Sequence, residues 1–282
     1  MSTTKRSVTT RPSTSSRNVP RGIWELARLH TRESWLCWYP SIWGADICDQ
    51  SLDKHVQRCK VRPLPSGMIS TPEALLAFVC WVPFTFAITW ATLGPAVTVS
   101  FIPVWVLSVI YPFMKRLMPF PQVVLGAIIG GAVFPGWVGV TGDLDHLDQA
   151  LPLFFATAAW VVYFDVFYAT QDLPDDKKAG VKSLAVWMGP NVKILLAGLG
   201  ILQIAFFAMT ALRADLSLIF WILGIGVWAV SVPWHVLSLN LKDRHSGGSV
   251  FKANIKLGLY MTGVSLLELV LLRVHHAPMK VY

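Results

Sequence analysis

Residues 150–169, ALPLFFATAAWVVYFDVFYA, form an apolar run that contains one charged side chain, Asp165. About 20 apolar residues in a helix are enough to cross the hydrocarbon core of a bilayer. Similar runs lie at residues 72–92, 94–114, 122–141, 191–212, 217–239 and 254–272. Because a helix satisfies its own backbone hydrogen bonds in lipid, the sequence predicts an all-α, polytopic transmembrane helix bundle with about seven full spans.

The composition supports this class. Of the 282 residues, 54% are hydrophobic and 14% are charged, which leaves too little polar surface to cover a water-soluble globule. The formal net charge of +8 would indicate nucleic acid binding in a soluble protein. Here Lys and Arg lie mainly between the apolar runs, where they orient membrane proteins. We therefore expect the lipid bilayer as a partner, no nucleic acid, and no obligate protein partner.

The N-terminal region differs from the rest of the chain. Residues 1–22 are rich in Ser, Thr and Arg and precede the first acidic residue, Glu25. This composition is typical of a disordered basic tail or of a mitochondrial presequence, and we favour the tail. The membrane domain is then residues 23–282. It begins with a truncated helix, because Ser34 to Gly44 is too short to span a bilayer.

The count of spans predicts the sidedness of two loops. Four spans separate the loop at 46–70 from the loop at 170–190, and an even number returns the chain to the same face. Lys and Arg are enriched in the connections on that face, so the positive-inside rule makes it cytosolic, or matrix in a mitochondrial membrane. A basic N-terminus on that face requires zero or two crossings before residue 46.

The first loop contains closely spaced carboxylates. Asp46, Asp49 and Asp53 are three and four residues apart, so on a helix they share one face and present ligands to one ion. Arg58, Lys60 and Arg62 follow. Carboxylates beside cations suit a metal-bridged diphosphate. The alternative is a set of solvated charges at the membrane edge.

The second loop repeats this pattern. Asp172 and Asp176 lie one helical turn apart, and Lys177 and Lys182 follow. Asp165 lies inside the preceding span, where an ionisable residue is costly and a functional or bundle-facing role is the default.

Tyr111 and Lys115 end the second span on the same predicted face. They are one helical turn apart and could both approach an anion. The alternative is an aromatic-belt Tyr and a cation that only orients the helix.

These motifs together resemble those of the UbiA superfamily of intramembrane aromatic prenyltransferases, and the resemblance extends over about residues 23–273. The family's Asn-Asp-x-x-Asp-x-x-x-Asp motif is matched by Ala45, Asp46, Asp49 and Asp53, and Arg58 to Gly67 continues as in the family. Its Asp-x-x-Tyr-Ala-x-Gln-Asp-x-x-x-Asp motif is matched by Asp165, Tyr168, Ala169, Gln171, Asp172 and Asp176. Its Tyr-x-x-x-Lys element is matched by Tyr111 and Lys115.

The resemblance implies nine helices around a cavity and a reaction without a protein nucleophile. It implies Mg²⁺ bound by Asp46, Asp49, Asp53, Asp172 and Asp176. It implies a prenyl diphosphate bound by Arg58, Lys60, Arg62, Lys177 and Lys182, and catalytic roles for Asp165, Tyr111 and Lys115. The second substrate is then an aromatic acceptor.

Two features depart from the family. Ala45 replaces the Asn of the first motif, and only a fragment stands where the family has two full helices. We expect a missing helical hairpin of some 30 to 40 residues near 44–45. A single short helix before residue 46 conflicts with the required zero or two crossings, and the loss of a hairpin would also explain that conflict.

Several functions remain open. The lead-in LHTRESWLCWYP, residues 29–40, resembles fungal members that transfer farnesyl or longer groups to phenolic acceptors in meroterpenoid secondary metabolism, which predicts an endomembrane location. A 4-hydroxybenzoate polyprenyltransferase of ubiquinone biosynthesis, in the mitochondrial inner membrane, is the close alternative. A degenerate non-catalytic homologue and a membrane transporter are the others.

Overall fold

The computed structural model describes residues 17–27, 46–54 and 59–276. Helices and short turns account for these residues, and none of them is in a strand. The chain divides into two compact units, Met1–Phe84 and Thr85–Tyr282. The α-helices are α1 (Val19–Leu26), α2 (Gln50–Asp53), α3 (Thr71–Leu117), α4 (Pro121–Gly130), α5 (Val133–Thr141), α6 (Leu151–Ala169), α7 (Leu173–Ala179), α8 (Leu184–Met188), α9 (Val192–Arg213), α10 (Leu218–Phe220), α11 (Val227–Ser238) and α12 (Arg244–His276).

Helix α3 is two helices joined at a glycine. Gly94 has φ 84° and ψ 172°, a conformation that breaks the helix and that other residues rarely adopt. The rings of Phe86 and Trp105 lie 5.9 Å apart, whereas a straight helix would separate these residues by about 28 Å. The segments before and after Gly94 therefore fold back on each other as a helical hairpin.

Six continuous helical segments are long and apolar enough to cross a membrane: Thr71–Met114, Pro121–Thr141, Leu147–Ala169, Leu184–Arg213, Leu218–Ser238 and Arg244–Arg273. The first contains both arms of α3, so the seven predicted spans are confirmed. The helix of the seventh span extends beyond its apolar run. The last helix begins at Arg244, ten residues before the predicted span, because its first turns are polar and lie outside the apolar run.

The described part of the first unit has a small core. Helix α1 begins where the Asn18 side chain accepts a hydrogen bond from the Arg21 amide at 3.1 Å. Its Leu26 packs with Ile47, Leu64 and Ile69. Helix α1 includes the last four residues of the basic tail predicted over residues 1–22, and the tail and the domain bounds stay predictions. Residues 1–16 and the predicted truncated helix, Ser34 to Gly44, lie outside the described residues.

Helix α6 is the centre of the second unit. Its buried Tyr163 and Phe167 form a core with Trp228 of α11. Small residues let the neighbouring helices approach closely. A β-carbon at Gly130 of α4, for example, would lie 2.9 Å from the Ala158 backbone nitrogen. Helices α4, α9 and α12 all pack against α6, so this helix holds its C-terminal end, and the loop after it, in a fixed place within the unit.

Candidate functional site

The three aspartates of the first motif are buried. Residues 46–48 form a π-helical turn and α2 follows, so the Asp53 amide donates to the Asp49 carbonyl at 2.8 Å. As whole residues, Asp46, Asp49 and Asp53 have relative exposures of 0%, 4% and 5%. Buried carboxylates require compensation by cations or hydrogen bonds. This degree of burial argues against the reading of these residues as solvated charges.

Arg62 joins two of these carboxylates. Its Nη1 atom lies 2.7 Å from Oδ2 of Asp53 and 4.0 Å from Oδ1 of Asp46. Burial lowers the pKa of the guanidinium, but the attraction of Asp53 and the other nearby anionic groups outweighs it, so the pKa of Arg62 is raised above its usual value. With all four groups ionised, three aspartates and Arg62 carry a formal charge of −2.

The other predicted cations of this region are placed differently. Lys60 is exposed. Arg62 is held in a series of tight turns, in which the Ser66 amide donates to the Arg62 carbonyl at 2.9 Å. Arg58 and Ala45 lie outside the described residues. The structure therefore brings Arg62 into contact with the aspartates and leaves Lys60 at the surface.

The second motif follows the end of α6. Asp165 lies in α6 and is partly buried. After Thr170, which ends the helix, Asp172 takes the N-cap position of α7. The amides of Asp175 and Asp176 donate to the Asp172 carbonyl at 2.9 and 2.8 Å. Asp172 and Asp176 are thus one helical turn apart, as their spacing predicts, and both are partly buried.

The segment after α7 is fixed by caps. Gly180, at φ 69°, ends α7 in the left-handed conformation that glycine favours. The Ser183 hydroxyl accepts from the Val186 amide and starts α8. The Leu184 amide donates to Oε1 of Gln122 in α4 at 3.1 Å. Lys177 and Lys182 are exposed on this segment.

Two contacts near the second motif were not predicted. Gln122 is buried and holds the start of α8, and a buried amide at the beginning of an apolar run is a signal that could have been used. Arg244, at the start of α12, lies with Nη2 2.8 Å from Oδ2 of Asp175. A separation of 69 residues gives no local signal for that pair.

The predicted pair Tyr111 and Lys115 lies in the second arm of α3. Tyr111 is partly buried, and Lys115 follows one helical turn later. The side chain of Lys115 lies outside the described part of the chain. The helical register therefore agrees with the spacing, while the roles of both residues stay predictions.

A row of aromatic rings runs from the second motif into the bundle. Tyr168 lies 5.0 Å from Phe251, which lies 5.7 Å from Phe164. The row continues from Phe164 to Trp160 at 5.2 Å, to Trp228 at 5.4 Å and to Phe207 at 4.9 Å. Most contacts are edge-to-face or tilted, the arrangements that ring quadrupoles favour. Asp165 is therefore next in sequence to a ring of a continuous aromatic row.

The fit of the site to a metal ion depends on the ligands that its side chains can supply. Within residues 17–27, 46–54 and 59–276, no three His, Cys, Asp or Glu side chains are arranged to hold a metal ion by themselves. Magnesium usually takes one or two carboxylates and completes its octahedron with substrate phosphates and water. The buried carboxylates beside Arg62, with their net negative charge, fit a cation that is shared with a diphosphate.

Comparison with known proteins identifies the family. Residues 45–259 match the UbiA prenyltransferase family. The chain is 83% identical to the polyprenyl transferase yanG of Aspergillus niger over 332 aligned positions, which cover all of both chains. It is 36% identical to a 4-hydroxybenzoate octaprenyltransferase of Pseudomonas aeruginosa over 214 positions, 76% of this chain and 71% of the bacterial one.

The fold agrees with this result. The solved apo structure of a UbiA homolog from Aeropyrum pernix K1 matches with a TM-score of 0.67 and 22% sequence identity, and the match covers 89% of this chain and 99% of the archaeal one. The six apolar helical segments make the chain an integral, multi-pass membrane protein. The protein is a prenyltransferase and belongs to the UbiA prenyltransferase family.

Proposed function

We propose that the protein transfers a prenyl group, farnesyl or longer, from a prenyl diphosphate to an aromatic, phenolic acceptor in a Mg²⁺-dependent reaction. The observation that carries this proposal is the burial of Asp46, Asp49 and Asp53, two of which form ion pairs with Arg62. With all four groups ionised, their formal charge is −2. A divalent cation would neutralise it. Family membership supports the reaction class.

The two motifs divide into metal ligands and anion-binding residues. Mg²⁺, when bound, stabilises the charge that develops on the departing diphosphate. The proposed metal ligands are Asp46, Asp49, Asp53, Asp172 and Asp176. The proposed diphosphate-binding cations are Arg58, Lys60, Arg62, Lys177 and Lys182.

The remaining residues concern the prenyl cation. Asp165, Tyr111 and Lys115 are the proposed catalytic residues near the reacting carbon. Ring faces stabilise a positive charge, and apolar surroundings exclude water that would quench it. The aromatic row that begins at Tyr168 supports this function for the interior of the bundle.

The proposed topology places both loops on the cytosolic face, or on the matrix face of a mitochondrial membrane. Four spans lie between the two motifs along the chain, and an even count returns the chain to the same side. We propose an endomembrane location and a role in meroterpenoid secondary metabolism, in line with the resemblance to fungal members.

The acceptor class has two candidates. The Aspergillus niger relative is named a polyprenyl transferase, which leaves its acceptor open. The bacterial relative is named for 4-hydroxybenzoate and an octaprenyl group. Ubiquinone biosynthesis is therefore the second candidate function, and a polyketide-type phenol is the acceptor that we favour.

The test is a turnover assay in membranes that contain the protein with the additional segment of the Aspergillus niger relative inserted between Gly44 and Ala45. Farnesyl, geranylgeranyl and octaprenyl diphosphates are each combined with 4-hydroxybenzoate or with a panel of polyketide phenols, with Mg²⁺ or with EDTA, and products are identified by mass spectrometry. We expect prenylated phenols with Mg²⁺ and none with EDTA. Turnover of 4-hydroxybenzoate alone would support the ubiquinone role, and turnover that persists in EDTA would contradict the metal requirement.

We also propose that the chain lacks a helical hairpin just before Ala45. Its alignment with the Aspergillus niger relative covers 332 positions, about 50 more than its 282 residues. The alignment with the bacterial relative has 214 positions, which is 76% of the 282 residues of this chain, so that alignment contains no comparable gap in this chain. The family match begins at residue 45. Two spans of about 20 residues and a turn have the missing length.

This proposal decides between an active enzyme and a degenerate homologue. Loss of a hairpin removes packing partners of the neighbouring helices, so we expect weak or no turnover from this chain and recovery when the relative's segment is inserted between Gly44 and Ala45. Sequencing of the transcript across these codons is the companion measurement. Equal turnover with and without the inserted segment would contradict the proposal.

A further inference from the structure

The first turns of α12 lie directly against the end of α6. A β-carbon at position 247 would collide with the Thr170 hydroxyl and with the carbonyl oxygen of Phe167. Both atoms already belong to the helix end, because the Thr170 hydroxyl donates to that carbonyl at 2.7 Å. Since a backbone carbonyl cannot turn aside as a long side chain can, only glycine permits this approach.

The next residue of α12, Gly248, makes the same kind of contact with the next residue of the motif, Gln171. A β-carbon at Gly248 would collide with Oε1 of Gln171 and lie 2.8 Å from its Cδ. The Gln171 side chain is itself held, because its Nε2 donates to the Tyr168 carbonyl at 3.1 Å. Gly248 therefore lies against the residue that immediately precedes Asp172.

Thr170 and Gln171 set the position of the aspartates that follow. The Asp172 amide donates to the Ala169 carbonyl at 3.2 Å, and the Asp172 carbonyl accepts from the amides of Asp175 and Asp176. A shift at Thr170 is thus passed through backbone hydrogen bonds to the whole of α7. The exposed ion pair of Arg244 with Asp175 attaches the same turn of α12 to α7.

The glycines of α12 differ in what they approach. Further along, Gly258 lies against the ring of Trp160, whereas a β-carbon at Gly263 would meet open space. The polar first turns of α12 precede its apolar run, so they add nothing to the length that spans the membrane. Their position against the motif gives them a different role.

We propose that Gly247 and Gly248 are positioning residues of the second aspartate motif: they let α12 press on Thr170 and Gln171 and so fix the backbone that presents Asp172 and Asp176. The metal-binding role of these aspartates rests on the proposed function, whereas the positioning itself does not. Sequence features alone give no reason to assign this role to a Gly-Gly pair 75 residues beyond Asp172.

The test uses the purified full chain with Gly247→Ala, Gly248→Ala and, as matched control on the same helix, Gly263→Ala. Amide hydrogen exchange is measured for residues 170–183 and, as reference, for α9. We expect about tenfold faster exchange at 170–183 in both motif-facing variants and an unchanged rate in Gly263→Ala, with α9 unaffected in all three. Gly248→Ala is the milder change and covers the case in which Gly247→Ala does not fold.

A double variant separates positioning from general damage. Because the side chain of Gln171 is what a β-carbon at 248 meets, Gln171→Ala combined with Gly248→Ala should exchange within about twofold of Gln171→Ala alone at residues 172–180. The proposal would be overturned if Gly247→Ala and Gly248→Ala exchanged at residues 170–183 at the same rate as Gly263→Ala. It would also be overturned if exchange in α9 rose by as much as exchange at 170–183.

A separate measurement tests the proposed function. Mg²⁺-dependent binding of farnesyl diphosphate is measured on the same proteins together with Asp172→Ala. We expect Asp172→Ala to lose binding and Gly248→Ala to need about tenfold more Mg²⁺. Unchanged binding by Asp172→Ala would overturn the metal role of the motif and leave the exchange result to decide the positioning role.

Discussion

The two aspartate motifs are held in place by different forces. In the first, Asp46, Asp49 and Asp53 are buried, and Arg62 makes ion pairs with two of them. In the second, Asp172 and Asp176 are partly exposed, and the backbone that carries them is fixed by the packed end of α6, by helix caps and by Gly247 and Gly248.

The first motif is therefore ordered mainly by charge, and the second mainly by packing. The first cluster depends on the balance of its ionised groups, so its geometry responds to a bound cation. The second depends on close contacts between helices, which form whether or not a ligand is present. We therefore expect loss of a cation to damage the first motif most, and added volume in α6 contacts to damage the second.

The largest effect on stability is expected from Arg62→Ala. Removal of Arg62 takes a cation away from two buried carboxylates, Asp46 and Asp53, and we expect a loss of about 3 kcal/mol in the free energy of unfolding. Arg244→Ala is the matched control, because its ion pair with Asp175 is exposed and should contribute less than about 1 kcal/mol. Both are measured by thermal unfolding of the purified protein.

The response of the Arg62→Ala variant to Mg²⁺ is a second test of what holds the first motif. Because the ion supplies the positive charge that Arg62→Ala removes, millimolar MgCl₂ should raise the melting temperature of this variant more than that of the wild type. Adding Asp53→Asn to Arg62→Ala should recover part of the loss as well. Equal losses for Arg62→Ala and Arg244→Ala would show that charge does not hold the first motif.

A smaller loss is expected from Gly130→Ala in α4. The new methyl group would lie within 3.1 Å of the Ala158 backbone, and overpacking of this kind costs about 2 kcal/mol. Gly136→Ala, in α5, adds the same group to open space and is expected to be neutral. If both variants unfold at the wild-type temperature, close packing does not order α6.

The smallest effect is expected from Lys182→Ala. This cation is exposed, so it attracts the diphosphate through solvent. In the chain with the relative's segment inserted before Ala45, its loss should raise KM for the prenyl diphosphate about fivefold with kcat unchanged. The difference should shrink at high salt. Arg213→Ala, exposed at the end of α9, is the control. A lower kcat with unchanged KM would contradict the role.

Most of the membrane topology could be predicted from the sequence, because apolar length has a direct physical meaning in a bilayer. The runs at 150–169 and 191–212 correspond to α6 and α9. The apolar pattern did not predict the helical segments that are polar. The first turns of α12 carry Arg244 and Lys252 and give no apolar signal. The start of α1 depends on Asn18 and Pro20, and its first four residues fall within the predicted tail.

The spacing of carboxylates predicted the one-turn register of Asp172 and Asp176, because a local pattern follows from helix geometry. It could not predict which cations contact them. The pairs Arg62 with Asp53 and Arg244 with Asp175 depend on turns and on helices that meet in space. The closeness of Gly247 to Phe167 is likewise a property of packing, to which no local sequence pattern refers.

The most direct test of the central claim, that the aspartate motifs bind Mg²⁺ and a prenyl diphosphate for prenyl transfer, compares Asp49→Asn and Asp172→Asn with the exposed control Asp145→Asn. Turnover of farnesyl diphosphate and a phenolic acceptor is measured as a function of Mg²⁺ in the chain with the relative's segment inserted before Ala45. We expect each motif variant to lose at least about 100-fold in kcat/KM, roughly 3 kcal/mol of transition-state stabilisation, and the control to match the parent. Turnover by either motif variant equal to that of the control would contradict the account.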